Sequence, residues 1–162
     1  MIQNLISYQA RNLDYAKRLT ADLTEAQWCH QPGTIKNHAA WVIGHAAWVA
    51  DKVTLARMLK QESKIDASWD VLFNNKSQPT NETGQYPNKA TLLGAYEESI
   101  LRIAAALKDK PDSFLDQPTP DEGFIKRYPL MADTLLHLMV GHDAMHLGQL
   151  SAWRRAQGLP AV

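Results

Sequence analysis

The sequence predicts an all-α protein built as a four-helix bundle. Three observations carry the prediction. Four stretches repeat apolar residues at helical spacing. Strand signals are absent along the whole chain. Two long polar connections separate the second helix from the third and the third from the fourth, so the bundle is not a plain up-down meander. At 162 residues the chain reads as a single domain, 1–162, long enough to bury a substantial core.

The first helix is expected from about Ile2 to Leu19, with Leu5, Ile6, Leu13 and Ala16 on one stripe. Thr24-Glu25-Ala26-Gln27 has the spacing of a capping box and should start a short helical turn before Trp28. Pro32-Gly33 then breaks the chain. A second helix, capped by Thr34, should run from Ile35 to about Lys60. The connection from Glu62 to Pro87 is polar and contains Trp69, Phe73, Pro79 and Gly84; loops of that length inside a compact domain are often functional. Asn88 can cap a third helix that reaches about Lys108, with Leu92, Tyr96, Ile100, Ile103 and Leu107 on its stripe. A second polar connection, Asp112 to Pro129, holds Pro118, Pro120 and Gly123. The fourth helix is the proline-free stretch from Met131 to Gly158, with Pro160 beyond it as C-terminal punctuation.

That fourth stretch carries His142 and His146 four positions apart. On an α-helix such a pair lies roughly 40° apart in azimuth and one turn apart in height, so both imidazoles can reach one metal ion. Met131, Leu135, Leu138, Met139, Met145, Gln149 and Trp153 fall within roughly 60° of His142, which puts the pair on an inward, apolar stripe. Buried polar groups there need partners. On the second helix His45 shares an inward face with His38, Trp41, Val42, Trp48, Val49, Ala56 and Leu59. Metal sites in bundles draw inward side chains from different helices, and three histidines leave positions open for water or substrate. His38 competes with His45 for the third place. His137, roughly 140° from His142, is expected off the site face, and His30 in a loop beside Cys29. The nearby Trp and Met residues read as plain core, Asp133 and Arg155 as a solvated edge. Leu136, Val140 and Leu147 form a second apolar strip on the back of the fourth helix, which either other elements of the chain or a second subunit must cover; a homodimer is the expectation.

Composition removes several function classes. Seventeen basic and seventeen acidic residues balance, with no basic concentration of the kind that nucleic acids or anionic membranes favour. The single cysteine, Cys29, leaves no disulfide framework and no thiolate cluster, as in a reducing compartment. No signal-peptide layout and no membrane-length apolar run are present, so a soluble cytoplasmic protein is expected.

Asn37 to Trp48 reads N-H-A-A-W-V-I-G-H-A-A-W and Gly141 to Leu150 reads G-H-D-A-M-H-L-G-Q-L. On these segments, with L-T-E-A-Q-W at Leu23 to Trp28, W-D-V-L-F at Trp69 to Phe73 and Y-P-N at Tyr86 to Asn88, the chain resembles the DinB-like (YfiT-like) family of four-helix metalloenzymes. The resemblance implies an up-down-down-up bundle, often dimeric, with a divalent metal on one histidine from the second helix and two from the fourth. Carried over, these are His45, His142 and His146, which resolves the competition with His38. It also implies thiol chemistry, since relatives include bacillithiol and mycothiol S-transferases, a mycothiol-dependent isomerase and a domain of sulfoxide synthases that form ergothioneine.

The expected function is therefore divalent-metal-dependent S-transfer, with zinc, nickel or iron as cofactor, a low-molecular-weight thiol as cosubstrate and a small electrophile as substrate. A metal-dependent hydrolase, with water in the thiol's place, is the alternative; a non-catalytic metal-binding bundle is the third reading. No general base stands out. Gln149 is placed to orient a ligand or bound water, and Lys52 either holds an anionic substrate or reaches out to solvent. The two connections are expected to close over the pocket, with Trp69, Phe73 and Tyr86 as an aromatic wall.

Overall fold

Four long helices carry the core of the computed structural model, which describes every residue from Met1 to Val162. The protein is all-helical, with a single isolated bridge between Pro118 and Leu130 in place of any sheet. The first helix, Ile2–Thr20, buries Ile2, Leu5, Leu13, Ala16 and Leu19 at the expected spacing. The capping box at Thr24 forms, its hydroxyl accepting from the Gln27 amide, and the turn Glu25–Trp28 seats Trp28 in the core.

The second helix begins four residues later than its pattern suggested. His38, not Thr34, is the N-cap of Ala39–Trp48: its Nδ1 accepts from the Trp41 amide at 3.2 Å while Nε2 donates to the Thr80 carbonyl at 2.8 Å. The imidazole holds its own helix end and the Thr80 carbonyl of a distant loop at once, one ring nitrogen for each. His38 is thereby committed to structure and withdrawn from the metal question. From Ala39 to Ala47 every residue of this helix is buried. Its small residues let neighbours close in from all sides, and the Phe73 ring lies against Gly44.

At Val49 the second helix changes to π winding, which continues to Met58. The fourth helix does the same: Met131–Leu136 is α-helical, His137–His142 is π-wound, and Asp143–Ala156 returns to α. π turns bond residue i to i+5 and frequently sit at functional sites. The third helix, Lys89–Leu107, is α throughout, capped by the Asn88 side chain on the Thr91 amide at 2.9 Å. The first and second helices each pack against the third and the fourth, so all four enclose one interior.

Both connections contain short helical pieces, Trp69–Phe73 and Thr83–Gln85 in one, Asp112–Asp116 and Glu122–Ile125 in the other. The first is tied down by Asp51, a buried carboxylate that accepts from Ser63 Oγ, the Lys64 amide and Arg102 Nη1. The expected aromatic wall is corrected here. Trp69, Phe73 and Tyr86 are buried members of the core cluster, with the Phe73 ring 5.1 Å from Trp69 and 5.9 Å from Tyr86. No helix is long and apolar enough to cross a membrane.

The His38 cap makes stability depend on pH. Burial lowers its pKa from the ordinary 6.5 to about 4, and the cap requires a neutral ring with a lone pair on Nδ1. The unfolded chain therefore takes up a proton before the folded one, and stability is complete above 6.5 and falls as pH drops toward 4. His38→Ala should cost about 2 kcal/mol at pH 7, one part cap and one part the Thr80 bond. His38→Asn keeps an acceptor at the cap, and its urea midpoint should fall less between pH 7 and pH 4.5 than that of the parent. Identical pH slopes would show that His38 is not the titrating cap.

Candidate metal centre

The π turns decide which side chains meet. His142 closes the π segment of the fourth helix, and His146 follows one α-turn later. His45 stands on the second helix four residues before its own π segment begins. One ring nitrogen from each of His45, His142 and His146 lies within 4.8 Å of the others, close enough for the three to hold one metal ion. The ring centroids are 4.5 to 5.1 Å apart, and Nε2 of His45 faces Nε2 of His142 at 3.2 Å. The sequence named these three residues, and the fold brings them to one point.

Two of the three rings are oriented from behind. His45 Nδ1 donates to the Phe73 carbonyl at 2.6 Å, so its Nε2 presents a lone pair. His146 Nδ1 donates to Gln149 Oε1 at 3.2 Å, and Gln149 in turn accepts from Asn37 Nδ2 at 3.1 Å. Gln149, expected to orient a ligand or water, thus orients an imidazole, as carbonyl oxygens do behind metal-ligating histidines. Trp41 stacks on one face of His45 at 4.7 Å and 7°, and Trp48 lies nearly parallel to it at 6.3 Å and 13°. These tryptophans, expected as plain core, flank the site.

The electrostatics fit a cation. Burial lowers the pKa of His45 to about 4 and of His146 to about 3, with the neighbouring imidazoles adding to both effects. At neutral pH both are uncharged donors, the form a metal ion binds. His142 Nδ1 is a buried atom without a hydrogen-bond partner, and Asp143 Oδ1 lies 3.9 Å from it. Were a cation held by His45, His142 and His146, with Nε2 of His142 toward it, the His142 proton would sit on Nδ1, facing that carboxylate. Asp143 is itself fully buried and held by the Tyr96 hydroxyl at 2.8 Å, and burial raises its pKa.

Helical-wheel arithmetic misplaced His137. Counted at 3.6 residues per turn it lies off the site face, yet its ring centroid is 5.9 Å from that of His142. Across a π turn, residues five apart come into register. His137 also stacks on Tyr128 at 4.5 Å and joins Asn75, Arg127 and Met145 around the cleft. The same change of winding turns Met145 out, 52% exposed, and carries Leu147 into the core. Leu147 therefore does not continue an outer strip with Leu136, which is 56% exposed. His30 is exposed in its loop, its carbonyl accepting from Trp153 Nε1 at 2.8 Å. Lys52 Nζ lies 3.9 Å from Asp70 Oδ1, half-buried and outside the cleft lining. Asn75, Arg127 and Tyr128 were passed over in the sequence because nothing local marks them; only the folding of both connections over the helices brings them together.

A comparison with curated proteins finds no match. Among solved structures, the chain is similar to a conserved protein from Enterococcus faecalis, at 15% identity and a TM-score of 0.76 over 96% of each chain. That likeness shows the fold. A family model described as the DinB superfamily matches residues 10–150, which include all three convergent histidines. The chain belongs to the DinB superfamily.

Proposed function

We propose that this protein is a divalent-metal-dependent enzyme whose ion is held by His45, His142 and His146, and that it transfers a low-molecular-weight thiol to a small electrophile. One observation carries the reading: three imidazoles converge from two helices, and two of them, His45 and His146, are kept neutral by burial with their outer nitrogens already engaged. A bound divalent ion would supply positive charge that acidifies a thiol or water placed beside it. The chain's own residues do the rest. Phe73 and Gln149 fix two of the rings, Trp41 and Trp48 keep water from the flanks of His45, and the cleft beyond is open to a small molecule of modest size.

The four long helices are taken in this reading as an up-down-down-up bundle, supported by the packing of the first and second helices on the third and fourth. A homodimer is part of the same proposal, supported by the exposed apolar side chains Tyr8 and Leu136 beside one groove of the first and fourth helices; a cytoplasmic location is proposed with it, from the single cysteine of the chain.

Metal analysis of protein purified without a nickel column is the test. About one equivalent of a transition metal is expected, removable by chelator; less than roughly half an equivalent favours a non-catalytic bundle. With metal present, low-molecular-weight thiols should react with chlorodinitrobenzene or monochlorobimane at a rate the chelator abolishes. Chelator-sensitive ester cleavage without thiol transfer would instead assign a hydrolase.

A further inference from the structure

The rim of the cleft above the three histidines carries a cation that nothing in the protein neutralises. The cleft, about 410 Å³, is lined by Arg127 from the second connection and Asn75 from the first, and none of its lining residues is acidic. Neighbouring charges are committed elsewhere: Arg57 Nη2 pairs with Asp121 at 2.7 Å, and Lys52 with Asp70 at 3.9 Å. The Arg127 guanidinium has no ion pair and no hydrogen bond; its Cζ lies 5.5 Å from the centre of the Tyr128 ring, on which it rests. Asn75 likewise directs its side-chain amide at no partner within the protein. Two free donor groups, from the two long connections, thus share the mouth of one cleft.

A guanidinium is a planar fork that matches a carboxylate through two parallel hydrogen bonds, and a primary amide adds another donor. An unpaired guanidinium at the mouth, with no acidic group in the lining, favours an anion there. We propose that Arg127, assisted by Asn75, binds a carboxylate on the small molecule whose reactive end reaches the imidazoles. Arg127 is in this sense a specificity-determining residue, and it takes the anion-holding part offered to Lys52 in the sequence, where Lys52 instead faces Asp70. The inference rests on the metal-site reading of the three histidines, which it deepens by naming the substrate class: a carboxylate-bearing thiol or a carboxylate-bearing electrophile.

Calorimetric titration of zinc-loaded protein tests it without measuring turnover. One arm compares 3-mercaptopropionate with 2-mercaptoethanol; the other compares 4-chloro-3-nitrobenzoate with its primary amide. In one arm the carboxylate should bind about tenfold or more tightly, the scale of a charge-assisted pair. Arg127→Gln should erase that preference, Arg127→Lys should keep part of it, and Lys52→Gln should leave it whole. Preference in the first arm puts the anion on the thiol, and in the second on the electrophile. A direct contact between carboxylate and zinc would survive in Arg127→Gln, and a surviving preference overturns the proposal. So does the absence of preference in both arms; thiols that still bind zinc-loaded protein would leave the S-transfer reading standing. If neither thiol binds at all and the second arm shows no preference, both fall together.

Discussion

His142→Ala and His146→Ala should each lower metal affinity by more than about a hundredfold, because loss of a mere outer-shell partner already costs 10- to 100-fold. Each substitution removes one of three nitrogens that lie within 4.8 Å of one another, and no other His, Cys, Asp or Glu joins that set. His45→Ala belongs to the same group, with the added loss of the stack against Trp41. The informative comparison is His137→Ala. His137 lies at the cleft, 5.9 Å from the His142 ring, yet outside the converging set, so this variant should retain close to full metal content. His30→Ala, exposed and remote in its loop, should be indistinguishable from the parent. Inductively coupled plasma mass spectrometry after dialysis, with circular dichroism to check folding, reads all five proteins. Equal losses from His30→Ala or His137→Ala and from the convergent three would dissolve the site as drawn.

Gly44→Ala should destabilise the protein strongly, although alanine is the better helix former by about 1 kcal/mol. A Cβ at position 44 overlaps the Phe73 ring at Cε1 and Cζ and stands 2.6 Å from Cδ1. The ring cannot yield cheaply, since Phe73 is fully buried between Trp69 and Tyr86. Overpacking of this kind costs about 1–3 kcal/mol, and a ring forced out of its place costs more. The net effect is a loss of about 2 kcal/mol or more, and 2 kcal/mol is a fall in Tm of about 4–8 °C at this chain length. Metal affinity should fall with it, because the Phe73 carbonyl is the acceptor that aims His45. Phe73→Leu removes the atoms that collide, so Gly44→Ala made in that background should be neutral or mildly stabilising. Additive losses in the double variant would mean that Gly44 matters for some reason other than the Phe73 ring.

Much of the fold lies open in the sequence because its signals are local. Apolar spacing marks the four long helices, and side-chain chemistry at Thr24 and Asn88 marks two of the caps. His38 shows the limit. Its role as a cap depends on the Thr80 carbonyl, which arrives from a connection more than forty residues away, so a local reading prefers the threonine in the loop before it. The aromatic residues of the first connection show the same limit from the other side. Trp69 and Phe73 look like a wall for a pocket, but the small residues of the second helix leave room for Phe73 to enter the core.

By itself the sequence determined that the chain is all-helical, roughly where its long helices run, and that His142 and His146 belong together, with His45 chosen over His38 only through the family resemblance. The tertiary structure decided how the helices wind at the site. A wheel drawn at 3.6 residues per turn assumes α-helical hydrogen bonds throughout, and no residue pattern along His137–His142 announces a change to i→i+5 bonding. That change turns His137 toward His142, buries Asp143 and Leu147, and exposes Met145. Arg127 and Asn75 reach the cleft only because both connections fold back over it. Helix identity follows from contacts a few residues apart, which sequence records; azimuth at a π turn and the meeting of two loops follow from packing across the whole interior, which it does not.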